Sequence, residues 1–157
     1  MAKLPAPDWK PVQPFPFAEA RKMFTGPTSL EGLVSLRYFQ RADKTLVALA
    51  TFGPLSEGAP GRVHGGMILT VLDEALGAAS WVAGHRGPTI RLETDFRLAV
   101  PVNAQLVVET RVLSVRHRVA FVDGTLLEPG GLVYAHAKGR FLVLGEAERQ
   151  RMFGQQS

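Results

Sequence analysis

Two adjacent carboxylates, Asp73 and Glu74, lie within an otherwise apolar stretch that runs from residue 67 to residue 82. Removing a carboxylate from water is costly unless the group is paired, hydrogen-bonded or protonated, so acids kept in such a stretch mark a candidate functional site. The dipeptide Gly65-Gly66 comes directly before it. Together these residues could supply backbone donors for an oxygen and an acid or base for proton transfer.

The stretch has the periodicity of a buried helix. At about 100 degrees per residue its small and polar members share one stripe, and apolar side chains cover the rest of the circumference. The stripe consists of Gly66, Thr70, Asp73, Glu74 and Gly77, and the apolar surface of Ile68, Leu69, Val71, Leu72, Ala75, Leu76 and Ala78. We therefore predict a buried helix with one polar seam.

The glycine start of this helix suits a ligand oxygen, because glycines leave backbone N–H groups unobstructed and the helix dipole adds partial positive charge there. Asp73 lies about 12 Å from Gly65 along the axis, so one helix cannot hold both groups against one carbonyl. A second copy packed antiparallel would bring its Asp73 beside this glycine. The pattern predicts composite sites in a homodimer, although a tight glycine turn and a hydrogen-bonded aspartate at a dimer contact fit it about as well.

Strand patterns flank the helix. Two apolar segments, 34–40 and 45–52, are separated by a turn and predict a hairpin. Four more predict a run of antiparallel neighbours, and these are residues 89–98, 104–116, 119–127 and 132–144. A slip in the alternation between Leu106 and Val115 indicates a β-bulge. Two strands, one buried helix and four strands give an α+β fold whose antiparallel sheet wraps around the helix.

The chain is expected to form one domain of 157 residues. Its proline-rich beginning, about residues 1–15, has no apolar block typical of a signal peptide and is expected to form an extended arm. A short helix is expected near residues 17–24. The charged residues 146–151 are expected to be helical or frayed.

Composition excludes several classes of protein. The chain has no cysteine, which excludes a disulfide framework and a Cys nucleophile and fits a reducing compartment, so we expect the cytoplasm. The longest apolar stretch is too short and too charged to span a membrane, and no membrane partner is expected. No two of the four histidines have i, i+4 spacing and no Gly-x-Ser-x-Gly motif occurs, so neither a metal hydrolase nor a serine hydrolase is favoured.

A net charge of +4 favours an anionic partner. Basic residues cluster on one predicted strand with its following turn and on a neighbouring strand, namely Arg111, Arg116, His117, Arg118, Lys138 and Arg140. Such a cluster could bind phosphates, although each member alone fits a solvated position on an exposed sheet face. Few aromatic residues, among them Phe121 and Tyr134, lie near it in sequence and no nucleic-acid-binding motif occurs, so no nucleic-acid partner is expected.

The sequence His64-Gly65-Gly66, followed by Leu72-Asp73-Glu74-Ala75 and Gly77, resembles the hotdog-fold acyl-CoA thioesterases, specifically the phenylacetyl-CoA thioesterase-like (PaaI-type) branch. The resemblance spans roughly residues 33–144 and includes the loop before the helix and the strand after it. It implies a hotdog fold, in which an antiparallel β-sheet wraps around a long central helix. It also implies a thioester hydrolase that converts an acyl-CoA to a carboxylic acid and free coenzyme A.

The resemblance implies roles for individual residues. The Gly65 N–H would polarise the thioester carbonyl, and Asp73 of the opposing subunit would act as general base on water or as nucleophile. Thr89 matches a Ser or Thr that in some relatives helps position the attacking water. His64 orders the turn and lies close enough to the reacting oxygen to contribute directly, and Gly66 belongs to the same substrate-binding turn.

One position departs from the pattern. Some relatives carry Asn about six residues before the His, where it helps hold the carbonyl or the water, whereas this chain has Gly58 there. The expected contacts to the phosphates of coenzyme A come from Arg111, Arg116 and Arg118. Glu74 is expected to pair with a basic residue instead of acting in the reaction.

No metal and no other cofactor is expected. Hotdog proteins also include noncatalytic acyl-CoA sensors and acyl-CoA hydratases, which are the alternatives to hydrolysis, and retention of Asp73 favours hydrolysis. The homodimer could pair further into a homotetramer. The motifs describe the thioester end of the substrate and leave the acyl group open.

Overall fold

The computed structural model describes residues 4–17, 23, 25 and 32–154. Within these residues it contains seven strands and two α-helices. The strands are β1 (Lys10–Val12), β2 (Val34–Gln40), β3 (Leu46–Phe52), β4 (Thr89–Phe96), β5 (Gln105–Arg116), β6 (Val119–Leu127) and β7 (Val133–Leu142). The helices are α1 (Gly65–Val82) and α2 (Glu146–Phe153). The short helix expected near 17–24 falls mainly outside the described residues.

The strands form one antiparallel sheet in the order β1-β2-β3-β5-β6-β7-β4. The predicted α+β layout, the β2–β3 hairpin and the bulge in β5 are confirmed, and the register shifts between Val112 and Ser114. The prediction that the four later strands follow one another as neighbours is wrong for β4, which pairs with β7 at the far edge. The reason is that α1 crosses the face of the sheet and delivers the chain to the opposite edge.

Helix α1 packs closely against the sheet because two strands carry glycine beneath it. A Cβ atom on Gly124 of β6 would lie 2.2 Å from the Leu76 side chain, and one on Gly139 of β7 would lie 3.0 Å from it. Both distances are below or at the limit of real contacts, so a larger residue at either strand position would push the helix outward. Leu76 is fully buried in this contact.

Two details of the predicted helix surface are wrong. Gly77, expected on the polar seam, is buried against the Phe141 ring of β7, to which an added Cβ would approach within 3.4 Å. Leu69, expected on the buried surface, is 36% exposed. The sheet curves around only part of the helix. The boundary between the buried and the exposed surface of α1 therefore differs from the one predicted from the sequence.

The N-terminal arm contributes the strand that the pattern did not reveal. β1 adds to the edge of β2, with Lys10 opposite Gln40. Before β1, Leu4 and Trp9 pack on the outer face of the sheet, the face turned away from α1. After it, Phe15 and Phe17 reach the helix side and contact the Trp81 ring. The arm therefore wraps around the sheet edge and covers it.

The end of the described chain is helical. α2 begins after Gly145, whose backbone N–H donates to Glu148 at 2.7 Å, and Phe153 packs against Trp81. Neither helix in the described part of the chain is long and apolar enough to cross a bilayer.

Candidate active site

The N-terminus of α1 presents one backbone donor without an acceptor. His64 is the N-cap, and its Nδ1 accepts the N–H of Gly66 at 2.9 Å. The N–H groups of Met67 and Ile68 bond to the His64 carbonyl. The Gly65 N–H has no hydrogen-bond acceptor among the described residues. This end of the helix is thus capped by side chain and backbone, with a single amide left for a ligand oxygen.

Phe96 forms one wall beside that amide. A Cβ atom on Gly65 would meet its ring at 3.7 Å, and the Phe96 side chain is 51% exposed. Alternation along β4 places Phe96 on the helix side of the sheet, together with Leu92 and Thr94. Sequence reasoning did not single out Phe96, because strict alternation from Thr89 places residue 96 on the opposite face, and only the register shift between Thr89 and Arg91 brings both to the helix side.

Asp73 and Thr89 meet on the helix side of the sheet. The Thr89 hydroxyl donates to Asp73 Oδ1 at 2.8 Å. A register shift between Thr89 and Arg91 makes this possible, because it turns Thr89 to the face of its partner Phe141, whereas Arg91 points to the outer face. The other carboxylate oxygen of Asp73 has no hydrogen-bond partner among the described residues. It is therefore available to accept a proton or to attack an electrophilic carbon.

Within one copy of the chain, the Gly65 N–H and the Asp73 carboxylate are far apart. Gly65 and Asp73 lie about 12 Å apart along α1, which is too far for both to act on one carbonyl. Among the residues that the structure describes, β4 has only one neighbour in the sheet, and its other edge is open. The apolar side chains of Ile90, Phe96 and Leu98 along this edge are each at least 43% exposed. Open strand edges and exposed apolar patches are where proteins take a partner.

Glu74 points to the other side of α1. The hydroxyl of Tyr38 donates to its Oε1 at 2.9 Å, and the Thr25 hydroxyl donates to Oε2. Burial raises the pKa of the Glu74 carboxyl above its ordinary value, and the negative charge of Asp73 adds to this, while the two hydroxyl donors oppose it. Burial and the charge of Glu74 raise the pKa of Tyr38 well above 10. The expectation of a basic partner is wrong for the described residues, among which neutral hydroxyl groups bond both oxygens of this acid.

The loop before α1 brings Gly58 against His64. A Cβ atom on Gly58 would lie 2.9 Å from the His64 Cα and 3.1 Å from the ring atom Cδ2. The backbone and the side chain of His64 therefore leave no room for a side chain at position 58. Gly58 also donates its N–H to the Arg62 carbonyl at 2.8 Å, which closes the loop.

The basic cluster lies on the other face of the sheet from Asp73. Arg111 stands opposite Asp123, whose neighbours Val122 and Gly124 face α1 and are buried, so both charged side chains face outward. Arg116 and Arg140 each place a guanidinium 5.5 Å from the centre of the Phe121 ring. The structure thus groups these cations together and separates them from α1 within one copy.

Arg118 has a different position. It lies in the turn between β5 and β6 with φ of 63°, donates from Nε to the Val143 carbonyl at 3.3 Å and forms an ion pair with Glu148. This guanidinium connects the turn to α2. In the described ranges no group of three His, Asp or Glu side chains is arranged to hold a metal ion.

Comparison with known proteins identifies the sequence pattern. Residues 60–135 match the thioesterase superfamily. Curated relatives include the acyl-coenzyme A thioesterase THEM5 of Mus musculus, 29% identical over 83% of this chain and 54% of that protein. The acyl-coenzyme A thioesterase THEM4 of Xenopus laevis is 28% identical over 55% of this chain and 39% of its own length. This chain spans about half the length of the curated relatives it matches, or less.

Solved structures show the same architecture. A thioesterase superfamily protein is 27% identical with a TM-score of 0.64, over 69% of this chain and 53% of its own. The PaaI protein of E. coli, from the phenylacetic acid degradation operon, is 15% identical with a TM-score of 0.62, over 71% of this chain and 80% of its own. The resemblance found in the sequence is confirmed: residues 60–135 match the thioesterase superfamily, and the chain has the hotdog fold of these solved structures.

Proposed function

We propose that this protein hydrolyses an acyl-CoA thioester to a carboxylic acid and free coenzyme A, in a site built by two copies of the chain. The observation that carries this proposal is the presence of two groups without partners among the described residues: one carboxylate oxygen and one backbone N–H at a helix start. Asp73 is held by Thr89 with one oxygen free, and the Gly65 N–H has no acceptor among the described residues. Thioester hydrolysis needs two such groups: an acid or base, and a hydrogen-bond donor to the carbonyl oxygen.

A second copy completes the site. If the open edge of β4 meets the same edge of another copy, the two α1 helices run antiparallel across the contact, and Asp73 of one copy lies near Gly65 of the other. The exposed Ile90, Phe96 and Leu98 would be covered in that contact. The acyl chain would enter between the copies. Pairing of such dimers would give a homotetramer.

The chemistry then follows from the two groups. The Gly65 N–H donates to the thioester oxygen as negative charge develops on it. The free oxygen of Asp73 takes a proton from water while the water oxygen attacks the carbonyl carbon; the C–S bond breaks and the thiolate leaves, taking up a proton to give the free thiol. Alternatively the free oxygen of Asp73 attacks the carbonyl carbon itself, the C–S bond breaks and the thiolate leaves; water then hydrolyses the resulting mixed anhydride, which releases the carboxylic acid and restores Asp73. Thr89 holds the carboxylate in the orientation that either route requires.

The nucleotide end of the substrate would be held by basic side chains. Coenzyme A carries phosphates, and a fold neighbour from Streptococcus pneumoniae, 17% identical, was solved with coenzyme A. Arg111 has no ion-pair partner within 4.0 Å among the described residues, and Arg116 lies beside a second guanidinium on Phe121, so both are available to phosphate. Arg118 is the least available of the three because Glu148 already occupies its guanidinium.

Replacing Gly65 tests the site with little risk to the fold. Gly65 is the first residue of α1, where proline is tolerated, and His64 before it has the extended backbone, with ψ of 135°, that a residue preceding proline adopts. Gly65→Pro removes the N–H and should lower kcat by about a hundredfold or more. The matched control Gly65→Ala keeps the N–H and meets Phe96 only at an ordinary 3.7 Å, so it should retain most activity.

The assay is thiol release from a panel of acyl-CoA substrates, with light scattering to establish the number of subunits. Equal turnover by Gly65→Pro and Gly65→Ala would contradict the role of the amide. A wild-type protein that binds acyl-CoA in calorimetry but releases no thiol across the panel would be a noncatalytic acyl-CoA-binding protein, and hydration of an enoyl-CoA in its place would indicate a hydratase.

A further inference from the structure

Thr94 of β4 carries a hydroxyl group without a hydrogen-bond partner. Its Oγ1 atom is enclosed by the protein, and it neither donates nor accepts a hydrogen bond within the described part of the chain. Other buried hydroxyls there are bonded: Thr110 and Ser80, for example, each donate to a backbone carbonyl at 2.6 Å. An enclosed hydroxyl without a partner has lost its hydrogen bonds to water and gained none in exchange, so it destabilises the fold.

Valine would fill the position of Thr94 without this cost. Thr94 stands opposite Ala137 of β7, so its side chain lies on the helix side of the sheet, in line with the apolar Leu92 and Phe96. Threonine and valine have the same branched shape, and a strand position between apolar neighbours suits valine at least as well. Packing therefore gives no reason for a hydroxyl at this position.

Thr94 lies between the two ends of the proposed site. It is one step of the alternation along β4 from Phe96, whose ring lies beside Gly65, and β4 begins at Thr89, which holds Asp73. Two residues of a strand span about 7 Å. An acyl chain with its carbonyl at the Gly65 N–H, running along the open edge of β4 between the two copies, would pass Thr94 a few bonds beyond the thioester.

The enclosed oxygen of Thr94 can be turned toward such a chain. Thr94 as a whole is partly exposed, although its oxygen is not. Rotation about χ1 moves the hydroxyl to another staggered position of the same side chain. Because no hydrogen bond to the described residues holds the oxygen in its present position, this rotation breaks none. The hydroxyl is thus free to bind a substrate group.

We propose that Thr94 is a specificity-determining residue that hydrogen-bonds an oxygen substituent on the acyl chain. This inference rests on the proposed thioesterase function and names its substrate class, acyl-CoA thioesters whose acyl group carries a hydroxyl or an oxo group. The Thr94 hydroxyl can donate to either group and can accept from a hydroxyl. A plain hydrocarbon chain leaves the Thr94 oxygen unpaired when the substrate closes the site, so such substrates are disfavoured.

The experiment measures kcat/KM by thiol release for two parent substrates, hexanoyl-CoA and phenylpropanoyl-CoA, and for derivatives of each with a hydroxyl group at successive positions. In wild type, at least one hydroxylated derivative should exceed its parent by about tenfold or more. Thr94→Val should bring this ratio close to unity through a loss on the hydroxylated substrate, while activity on the parent stays within about twofold or rises. The matched control Thr94→Ser keeps the hydroxyl and should keep the ratio.

Melting temperature without substrate is the second readout. Since the Thr94 hydroxyl makes no bond within the described part of one copy, Thr94→Val should melt no lower than wild type. A clearly lower melting temperature would mean that this hydroxyl already has a partner in the assembled protein, and the proposal would be overturned. A wild-type protein that prefers no hydroxylated substrate, or a preference that Thr94→Val leaves unchanged, would overturn it as well.

The same assay separates a failure of this inference from a failure of the proposed function. Asp73→Asn is the assay control and should be inactive on both series of substrates. If wild type hydrolyses the parent thioesters, Asp73→Asn does not and Thr94→Val has the wild-type preference, only the role of Thr94 fails. If wild type releases thiol from neither series, the proposed function fails and this inference with it.

Discussion

Asp73 and Glu74 are neighbours in sequence on the same helix, yet their surroundings differ. Asp73 faces the open edge of the sheet, where Thr89 bonds one of its oxygens and the other has no partner in the described part of the chain. Glu74 faces the side covered by β2, where hydroxyl groups of Tyr38 and Thr25 bond both oxygens. A helix turns about 100 degrees between successive residues, which is enough to place two adjacent acids in different environments.

The difference shows that a carboxylate that reacts and a carboxylate that holds the fold together need different surroundings. A carboxylate that reacts needs a free oxygen and room for a substrate, and only Asp73 has these. A carboxylate with both oxygens bonded is held in place and satisfied, and its contribution is to connect α1 with β2 and with Thr25. The comparison predicts that loss of the negative charge lowers turnover strongly at Asp73 and only slightly at Glu74.

The largest effect is expected from Asp73→Asn. The amide cannot take a proton or attack the thioester, so turnover should fall by about a hundredfold or more while the fold is kept, because Asn can still accept the Thr89 hydroxyl. Glu74→Gln is the matched control and should stay within about threefold of wild type in turnover. Thiol-release kinetics on both variants check this. Comparable losses in the two variants would break the distinction between the acids.

A smaller effect is expected at Thr89. Thr89→Val has nearly the same shape and removes the donor to Asp73, so the carboxylate loses its orientation but keeps its reactivity. We expect a loss of about tenfold in kcat, since the hydroxyl acts by holding another group. Thr89→Ser keeps the hydroxyl and should approach wild type. The comparison sharpens if KM is unchanged in both variants, and a fully active Thr89→Val would show that Asp73 needs no partner.

Much of the arrangement around Asp73 could be predicted from the sequence. Glycines at a helix start and an acid eight residues later are local features, and the periodicity of residues 67–82 places them on one helix. Thr89 follows the helix closely in sequence, so its proximity to Asp73 depends on one short connection. The hairpin of β2 and β3 and the bulge in β5 were predictable for the same reason, because alternation and turn residues are local.

The surroundings of Glu74 could not be predicted, because the contacts of this residue join distant parts of the chain. Tyr38 is 36 residues from Glu74 and Thr25 is 49 residues away, and no pattern in the sequence links them. The edge position of β4 and the short strand β1 also depend on which strands meet across the sheet. The outward position of Arg111 depends on the register of β5, which the bulge changes further along the strand.

The smallest predicted effect concerns stability at different pH values. Burial raises the folded-state pKa of Glu74 above its ordinary value of 4.5, so its proton is bound more tightly in the folded protein than in the unfolded chain. The resulting stability is complete below the unfolded pKa and is lost as pH rises through the folded pKa. Glutamine does not ionise. As pH rises through this range, the free energy of unfolding of Glu74→Gln should therefore increase relative to that of wild type. At lower pH the difference between the two proteins should stay constant.

Glu148 offers a control of opposite sign. Its hydrogen bond from Arg118 lowers its folded-state pKa, so the stability it contributes is present above the unfolded pKa and is lost as pH falls through the folded pKa. Glu148→Gln should therefore lose ground to wild type as pH rises, where Glu74→Gln gains. Urea unfolding of the three proteins from about pH 3, below the ordinary glutamate pKa of 4.5, to about pH 8 measures both differences. A pH-independent difference between Glu74→Gln and wild type would mean that the hydroxyls of Tyr38 and Thr25 fully offset the burial of this acid, and that the two carboxylates of α1 differ in contacts but not in the cost of their charge.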